Sequence, residues 1–310
     1  MALESWEWFS ELAETGNFTK AAESLQISQQ ALSARLATLE KDIGAKLFVR
    51  SVPLTLTPAG MAFLLYVREQ RQAQRDLMRQ IGEASGSGAG TLKIGVSLMR
   101  GRLIMPRVIR TLTSKMPALC VHLSEGTNRD LLRMAENGEV DAVIARIDSN
   151  HPSIKATPLY EEEVVLAIQT DLLTSVTGLH AARALDAVKK EGLSVLKDCP
   201  FVMGTIEDIS GRIAYSELKN AGITPKVVAT STSIVTLLSM ASAGIGAVFT
   251  PTNAPELKGA REKEMTLIPL SSKAKYTISL GIPPRTEPWY ATGVFKEVLL
   301  EALKEDGVAR

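Results

Sequence analysis

The chain has 310 residues but only two cysteines and three histidines. Cys120 and Cys199 are too few for a disulfide framework or a cysteine-based metal cluster, and the strand-like runs beside them predict that both thiols are buried. The histidines are scattered, and no Gly-x-Ser-x-Gly turn occurs that would present a serine nucleophile. The sequence therefore lacks a catalytic set and favours a protein that is not an enzyme and needs no cofactor.

Long apolar runs and a strong charge of one sign are missing as well. No stretch of about 20 apolar residues is present to span a membrane, and the acidic start MALESWEWF is unlike a secretory signal. We therefore expect a cytoplasmic protein without a membrane partner. The net charge is +1 for the chain and −1 for residues 1–85, where nine Lys and Arg face ten Asp and Glu, so charge alone does not indicate nucleic-acid binding.

What is present, in residues 17–57, is the pattern of two short helices joined by a tight turn and followed by a small β-wing. Thr19 is positioned to cap a helix that ends at Leu25, and Ser28 to cap the next helix. An earlier helix over residues 3–14 is expected to close the core. The apolar face of the helix after Ser28 consists of side chains at helical spacing, Leu32, Leu36, Leu39 and Ile43.

The opposite face of that helix carries residues suited to reading DNA. Amides and hydroxyls at the start of such a helix contact base edges in the major groove, and Gln pairs naturally with adenine. Arg35 lies on a flank, where a phosphate contact is expected. The predicted DNA-contacting residues are Thr19, Ser28, Gln29, Gln30, Ser33, Ala34, Arg35, Arg50 and Pro53. The alternative is that three small amphipathic helices pack together without binding DNA.

A long helix is predicted from Pro58 to about Ala84. Its residues spaced alternately by four and three form a seam that suits a partner helix, namely Phe63, Val67, Gln70, Gln74, Leu77, Ile81 and Ala84. Packing against its own chain is the alternative to dimerisation. Residues 86–90 then form a flexible hinge that lacks the Gly-Lys-Ser/Thr ending of a phosphate loop.

From Thr91 onwards strands and helices alternate, which predicts an α/β region built on parallel strands. The predicted strands are residues 92–97, 120–124, 140–145, 201–204, 226–230, 245–249, 267–270 and 276–282. We expect the chain to cross twice between two lobes, near residues 159–165 and 265–270. Two lobes joined in this way enclose a cleft that closes by hinging.

Ligands bind such sheets at the carboxyl ends of strands. The predicted effector-binding residues are Ser97, Met99, Arg100, Thr127, Asn128, Arg146, Gly204, Thr205, Thr230 and Ser231. Met99 is expected to form an apolar wall and Arg146 to receive a carboxylate. Alternatives remain for several of them: Ser and Thr after strands also cap helices, Arg146 also suits a solvated charge or a bridge between lobes, and Arg100 also suits a surface or interface charge.

The segments AAESLQISQQALSARLATLE, GAKLF-V-R and LTPAG resemble the N-terminal signature of the LysR-type transcriptional regulators. The resemblance implies a winged helix-turn-helix domain in residues 1–57, a linker and dimerisation helix in 58–85 and a hinge in 86–90. It also implies a two-lobed, periplasmic-binding-protein-like effector domain. The two subdomains of that domain are residues 91–164 plus 267–310 and residues 165–266.

The chain departs from this family at several positions. Gln30 stands where the family commonly has Pro, and Ala34 and Arg35 stand where it often has Arg and Gln. Wing residues 51–55 carry no charge, and Met99 replaces a frequent hydroxyl. These differences affect base preference, phosphate anchoring and the polarity of the cleft, but not the expected fold.

The sequence hypothesis is a ligand-responsive regulator of transcription. Its expected partners are double-stranded DNA, a small organic effector with a carboxylate among the candidates, a second copy of the chain in a homodimer or homotetramer, and RNA polymerase. The alternatives are a cytoplasmic solute-binding module whose helical N-terminus mediates assembly only, and a small-molecule enzyme. One branch of the family senses peroxide through a cysteine pair, which leaves such a role open for Cys120 and Cys199.

Overall fold

A computed structural model describes residues 3–51, 53–84, 90–254, 257, 265–270, 274–283 and 289–305. The chain divides into two compact units, Met1–Ala84 (unit 1) and Ser85–Arg310 (unit 2). Of the predicted hinge, residues 86–89 lie outside the described residues, and Gly90 begins a strand.

Unit 1 consists of three helices, a two-stranded wing and a long helix. Its elements are α1 (Leu3–Thr15), α2 (Phe18–Ser24), α3 (Gln29–Ile43), β1 (Phe48–Val49), β2 (Thr55–Leu56) and α4 (Pro58–Ala84). The two wing strands pair antiparallel. The predicted order of helices and wing is therefore present, and α4 begins at the predicted proline.

The caps of α2 and α3 show which short polar residues hold the turn. Asn17 caps α2, because its side-chain oxygen accepts the backbone N–H groups of Thr19 at 2.9 Å and Lys20 at 3.2 Å. The prediction that Thr19 is the cap is therefore wrong. Ser28 caps α3 as predicted, accepting the N–H of Ala31 at 3.1 Å.

The long helix α4 is divided between the core of unit 1 and solvent. Phe63 and Val67 are buried, and the Phe63 ring lies edge-on to Phe9 with 4.9 Å between ring centroids. This half of the seam packs against its own chain, so the prediction of a partner-binding seam is wrong for it. Leu77 and Ile81 remain 53% and 54% exposed in the single chain, so for the second half of the seam the partner helix stays a prediction.

Unit 2 alternates strands and helices as the sequence predicts. Its strands are β3 (Gly90–Val96), β4 (Leu119–Glu125), β5 (Ala142–Ala145), β6 (Lys155–Gln169), β7 (Pro200–Met203), β8 (Lys226–Thr230), β9 (Val248–Pro251), β10 (Met265–Pro269) and β11 (Lys275–Ile282). Its described helices are α5 (Leu98–Lys115), α6 (Asn128–Glu136), α7 (Thr170–Thr177), α8 (Ala181–Glu191), α9 (Ile209–Asn220), α10 (Ile234–Ser242) and α11 (Tyr290–Glu305), and a 3-10 turn covers Gly192–Leu196.

The strands form one seven-stranded sheet and one separate pair. The order of the sheet is β10–β6–β11–β5–β3–β4, with β9 also paired to β6. β3 runs parallel to β4 and β5, as the alternation of strands and helices predicts. β7 and β8 form a parallel pair, and an isolated bridge joins Phe201 of β7 to Ala247.

The strand β6 connects the two parts of the large sheet. Its residues 155–163 pair with β11, and its residues 164–169 pair with β9 and β10. The change of partner falls between Glu163 and Val164, within the segment where the sequence predicts a crossing. One continuous strand of 15 residues therefore serves both parts.

The helices α7 and α8 follow β6 and were not predicted. The side chain of Gln169 caps α7 by accepting the N–H of Leu172 at 2.9 Å, and Gln is not among the residues preferred at that position. The residue before α8, His180, makes no side-chain cap. Neither helix therefore begins with a recognisable start signal.

Candidate functional site

The polar face of α3 is exposed in unit 1. Leu32, Leu36 and Leu39 are buried on the opposite side of the helix. Gln29, Gln30 and Ala34 are exposed, and Ser33 is half-buried. Ser28 is exposed but is engaged as the cap, and Thr19 at the start of α2 is exposed. The helix thus offers two uncommitted amides at its N-terminal end, the part of a recognition helix that meets base edges.

Basic side chains flank this face. The guanidinium of Arg35 stacks over the ring of Trp8, 3.2 Å from the ring centroid. Arg50 and Pro53 are exposed on the wing. Lys46, by contrast, pairs with the buried carboxylate of Glu40 at 2.6 Å. Arg35 and Arg50 therefore remain accessible, whereas Lys46 is engaged in holding the wing to α3.

In unit 2, Arg100 is buried, so the interpretation of Arg100 as a surface charge is wrong. It is 5% exposed, and its Nε and Nη2 donate to Oε1 and Oε2 of Glu162, each at 2.8 Å. The hydroxyls of Tyr160 and Tyr276 donate to the same carboxylate at 3.2 and 2.6 Å. The Arg100–Glu162 network, as we call these four side chains, joins α5, β6 and β11.

Burial and charge set the protonation of this network. Burial alone would raise the pKa of Glu162, but the charge and N–H groups of Arg100, together with the two tyrosine hydroxyls, hold it below its usual value. Burial and the Glu162 carboxylate raise the pKa of Tyr160 and of Tyr276. Both tyrosines therefore remain protonated donors, and Glu162 is an anion at neutral pH.

Ser97 and Met99 flank this network at the start of α5. Ser97 caps the helix, and its hydroxyl oxygen accepts the backbone N–H of Arg100 at 3.5 Å and Arg100 Nη1 at 3.2 Å. Met99 is 4% exposed and packs in an apolar cluster with Leu237 and Leu238 of α10. Met99 is therefore a core residue rather than the open apolar wall that was predicted.

At the next strand ends, polar side chains serve the backbone. The Thr127 hydroxyl caps α6 by accepting the N–H of Asp130 at 3.3 Å, and it donates to the Asp130 carboxylate at 2.7 Å. The Asn128 amide accepts the N–H of Arg146 at 2.8 Å and donates to its carbonyl at 3.1 Å. The Arg146 side chain is 43% exposed and lies 3.9 Å from Asp148.

A wide depression of about 790 Å³ opens between α6 and the loops that follow β7 and β8. Small-molecule sites enclose roughly 300–1,000 Å³, so its size suits an organic ligand. Three threonines line it, Thr127, Thr205 and Thr232. The rest of the lining is Arg129, Asp130, Leu132, Arg133, Glu136 and Glu207.

A narrow crevice lies beside the depression and shares Thr205 and Thr232 with it. It holds only about 10 Å³, the space of a single water molecule. Gly204, Asp208 and Ser231 are among its lining residues. Gly211 is required here, because a Cβ at this position would lie 2.0 Å from the carbonyl oxygen of Thr205.

The two units match one protein family. Residues 3–61 match the family described as bacterial regulatory helix-turn-helix protein, lysR family, and residues 85–304 match the LysR substrate binding domain. The chain belongs to the LysR family. This LysR-type regulator is 28% identical over 260 residues to YcgK, an HTH-type transcriptional regulator of Bacillus subtilis, with 81% of this chain and 80% of the relative covered. It is 26% identical over 261 residues to the malonate utilization transcriptional regulator of Klebsiella pneumoniae, with 83% and 80% covered.

Solved structures share the fold of this LysR-type regulator. A full-length OxyR variant from Pseudomonas aeruginosa has a TM-score of 0.61 at 21% identity, covering 100% of this chain and 97% of that one. CbnR, a LysR family transcriptional regulator, has a TM-score of 0.58 at 20% identity, covering 97% and 99%. The predicted fold class is confirmed, and the chain is a DNA-binding regulator of transcription rather than an enzyme.

The regulator's openings contain some of the predicted effector residues and several that were missed. Thr127, Gly204, Thr205 and Ser231 line them, whereas Ser97, Met99, Arg100, Asn128, Arg146 and Thr230 line neither. The polar residues that were missed include Arg129, Arg133, Glu207, Asp208 and Thr232. The spacing of Arg129 and Arg133 by four residues on a helix was a usable signal, because it places both on one face.

The two cysteines of the regulator differ in environment. Cys199 is buried, and burial raises the pKa of its thiol to about 11, which suppresses thiolate chemistry. Cys120 is exposed on β4, where burial of successive side chains alternates at the start of the strand, so the prediction of two buried thiols is wrong for it. Among the residues that the structure describes, we find no cluster of metal-ligating side chains and no helix able to cross a membrane.

Proposed function

We propose that this LysR-type chain is an oligomeric regulator whose binding to duplex DNA is controlled by a small organic effector. The observation that carries the proposal is the wide depression, where Thr127 and Thr205 from separate strand ends line one space of ligand size. The effector would bind there, between residues 91–164 plus 267–310 and residues 165–266, taken as two subdomains.

DNA binding is assigned to α3 and the wing. Gln29 and Gln30 are exposed and free of the capping role, so they would read base edges, with Ser33 and Ala34 beside them. Arg35 and Arg50 would contact phosphates, and Thr19, Ser28 and Pro53 would approach the backbone. A solved complex of CbnR with its target DNA, TM-score 0.56 and 21% identity, supports this use of the fold.

The depression suits an effector with both polar and charged groups. Arg129 and Arg133 would attract an anion, while the hydroxyls of Thr205 and Thr232 would orient it. Arg146 is exposed and stays a candidate for an effector carboxylate in a closed form of the domain. Thr230 and Asn128 also lie at strand ends, where they would support the residues that contact the effector.

Oligomerisation would couple effector binding to DNA binding. Leu77 and Ile81 expose an apolar stripe on α4 that suits the same stripe of a second copy, giving a homodimer, and dimers would pair into a homotetramer. An effector shifts such an assembly only through its differential affinity for two arrangements. The expected outcome is a change in DNA bending or in contact with RNA polymerase.

Two measurements test the proposal. A footprint on DNA from upstream of its own gene should show protection that depends on Gln30, and thermal-shift titration with small carboxylates and aromatic acids should identify a stabilising compound. That compound should alter the footprint of the parent but not of Thr205→Ala, whose hydroxyl lines the depression. Ser114→Ala, an exposed hydroxyl on α5 bonded to its own helix, is the matched control. An unchanged response in Thr205→Ala would exclude the depression as the effector site.

A further inference from the structure

The guanidinium of Arg35 lies over an aromatic ring that belongs to a different helix. Arg35 is on α3 and Trp8 is on α1, and Cζ of Arg35 is 3.2 Å from the centroid of the Trp8 ring. The face of an aromatic ring attracts a cation, and Trp does so more strongly than Tyr or Phe. Trp8 itself is half-buried and packs against the apolar core of unit 1. The ring is therefore a fixed support for the arginine side chain.

This stack holds Arg35 without using its hydrogen-bonding groups. A guanidinium contacts a ring through its flat face, whereas its five N–H donors lie at its edge. Within the described part of the chain, Arg35 makes no hydrogen bond and no ion pair, and it is exposed. Lys46 of the same unit shows the contrasting arrangement, because the Glu40 carboxylate compensates its charge. Arg35 thus keeps its charge and its donors available for a partner outside the chain.

An arginine fixed in this way is valuable in a domain with little positive charge. Residues 1–85 carry a net charge of −1, so few cations are available to contact phosphates. An exposed arginine side chain has many rotamers, and its immobilisation opposes binding. Because the Trp8 ring restricts these rotamers before DNA is bound, less conformational entropy is lost in the complex.

We propose that Trp8 is a positioning residue for DNA binding, whose ring presents Arg35 to a phosphate of the duplex as a preoriented and uncompensated cation. This inference rests on the proposed function, in which Arg35 contacts a phosphate. The edge of a guanidinium can donate to two phosphate oxygens side by side, and this geometry leaves the face of the group on the ring. The helix α1 then contributes to DNA binding through α3.

The test is a double-mutant cycle in the full chain, with affinities measured by fluorescence anisotropy at fixed salt. Two labelled duplexes of equal length serve as probes, one with the footprinted site and one of random sequence. Arg35→Gln removes the cation, Trp8→Leu removes the ring but keeps an apolar side chain, and Trp8→Phe keeps a ring. Arg50→Gln is the matched control, because Arg50 is an exposed arginine on the wing and Trp8 stacks on Arg35.

We expect Arg35→Gln to weaken binding to both duplexes by roughly tenfold or more, the size of one hydrogen bond to a charged group. Its salt slope should be shallower by about 2 for a dimer, since two phosphate contacts are lost. Trp8→Leu should weaken binding by roughly two- to twelvefold at each half-site, the cost of immobilising one long side chain. Its salt slope should equal that of the parent, because the charge remains, and Trp8→Phe should recover most of the loss.

The cycle decides whether Trp8 acts through Arg35. In the Arg35→Gln background, Trp8→Leu should cause no further loss, whereas the losses from Trp8→Leu and Arg50→Gln should multiply. An equal loss from Trp8→Leu in the parent and in Arg35→Gln would indicate a packing role and overturn the inference, as would parent-like affinity of Trp8→Leu. Urea denaturation checks the fold of each variant, and Trp8→Met, with a more adaptable side chain, repeats the cycle where Trp8→Leu does not fold.

The Arg35 variant separates this inference from the proposed function. If Arg35→Gln behaves as expected but is not coupled to Trp8→Leu, the phosphate contact stands and only the role of Trp8 is wrong. If Arg35→Gln changes neither the affinity nor the salt slope, the phosphate contact and the inference both fail. In that case a loss of affinity in Gln30→Ala would still support DNA binding through α3. A loss confined to the footprinted duplex would identify a base contact and also overturn the inference.

Discussion

At the scale of single residues, a short polar side chain between a strand and a helix can bind a ligand or cap the helix, and the sequence pattern is the same for both roles. Ser97 and Thr127 were nominated as ligand contacts, and both cap helices. Capping does not remove a hydroxyl from binding, because the cap uses the oxygen as an acceptor and leaves the hydrogen free. For Thr127 that hydrogen is directed to Asp130, whereas no hydrogen bond among the described residues has the Ser97 hydroxyl as its donor.

Gln30 is the residue for which base reading can be tested most directly. Gln30→Ala should weaken binding to a mapped operator by about 1–3 kcal/mol, because it removes a side-chain amide from the groove-facing end of α3. Mobility-shift titration at fixed salt measures the effect, and a non-specific duplex serves as the control. An equal loss on both duplexes would indicate a general effect on fold or phosphate contact instead.

Glu162 leads to a prediction about acid stability. Its folded-state pKa lies below the unfolded value of 4.5, so its contribution to the free energy of unfolding is present above pH 4.5 and is lost as the pH falls below it. Glu162→Gln should cost about 3–5 kcal/mol at pH 7, because Arg100 loses its partner. The difference between parent and variant should shrink below pH 4.5.

Urea denaturation of parent and variant between pH 7 and pH 3 measures this difference. Glu163→Gln is the matched control. Glu163 follows Glu162 on β6, but its carboxylate is partly exposed and lies 3.5 Å from Lys275. The control should be nearly neutral at both pH values, as exposed pairs contribute little. A constant difference between parent and Glu162→Gln across the whole range would contradict the prediction.

At the scale of elements, α3 and the wing carry little positive charge for a DNA-binding surface. Residues 1–57 contain five Lys and Arg, Lys20, Arg35, Lys41, Lys46 and Arg50. Lys46 is engaged with Glu40, which leaves four in one chain and eight in a pair. We therefore expect specificity in this domain to depend on base contacts and DNA shape more than on charge.

This charge distribution predicts a shallow salt dependence. A dimer that uses at most eight phosphate contacts should give a slope of log affinity against log salt no steeper than about −7. Binding to a mapped operator between 50 and 200 mM salt, concentrations over which a slope is readily resolved, supplies the measurement. A slope near −9, equivalent to roughly ten contacts, would show that residues beyond the wing take part.

At the scale of the whole molecule, the two halves of α4 lie in different environments. Its first half is part of the core of unit 1, and its second half exposes Leu77 and Ile81. A helix that leaves an apolar stripe uncovered in the single chain needs a partner surface. We expect that surface to be the same stripe of a second copy.

Leu77→Lys with Ile81→Lys should convert the oligomer to a smaller species, because two charges would be placed in an apolar interface. Sedimentation velocity at micromolar concentration distinguishes the species. Ile206→Lys is the matched control, because Ile206 is 60% exposed in unit 2, outside α4. The proposal fails if the double variant and the control sediment like the parent.

Much of the architecture was predictable because its signals are local. The apolar spacing in α3, Pro58 at the start of α4 and the β-branched run of β8 each depend on neighbours within a few residues. The candidate site was only partly predictable. The rule that ligands bind at strand ends identified Thr127, Gly204, Thr205 and Ser231, but not which side chains beside them share an opening.

The sequence by itself determined the family and the order of most elements, α7 and α8 excepted, because caps, periodicity and signature residues are read along the chain. Only the tertiary structure decided that Arg100 is buried and that Met99 belongs to the core. Arg100 is paired with Glu162, 62 positions away, and Tyr276 reaches the same carboxylate from 114 positions away. Burial and ionisation depend on such distant neighbours, since the environment of a charge is created by whichever elements the fold brings around it.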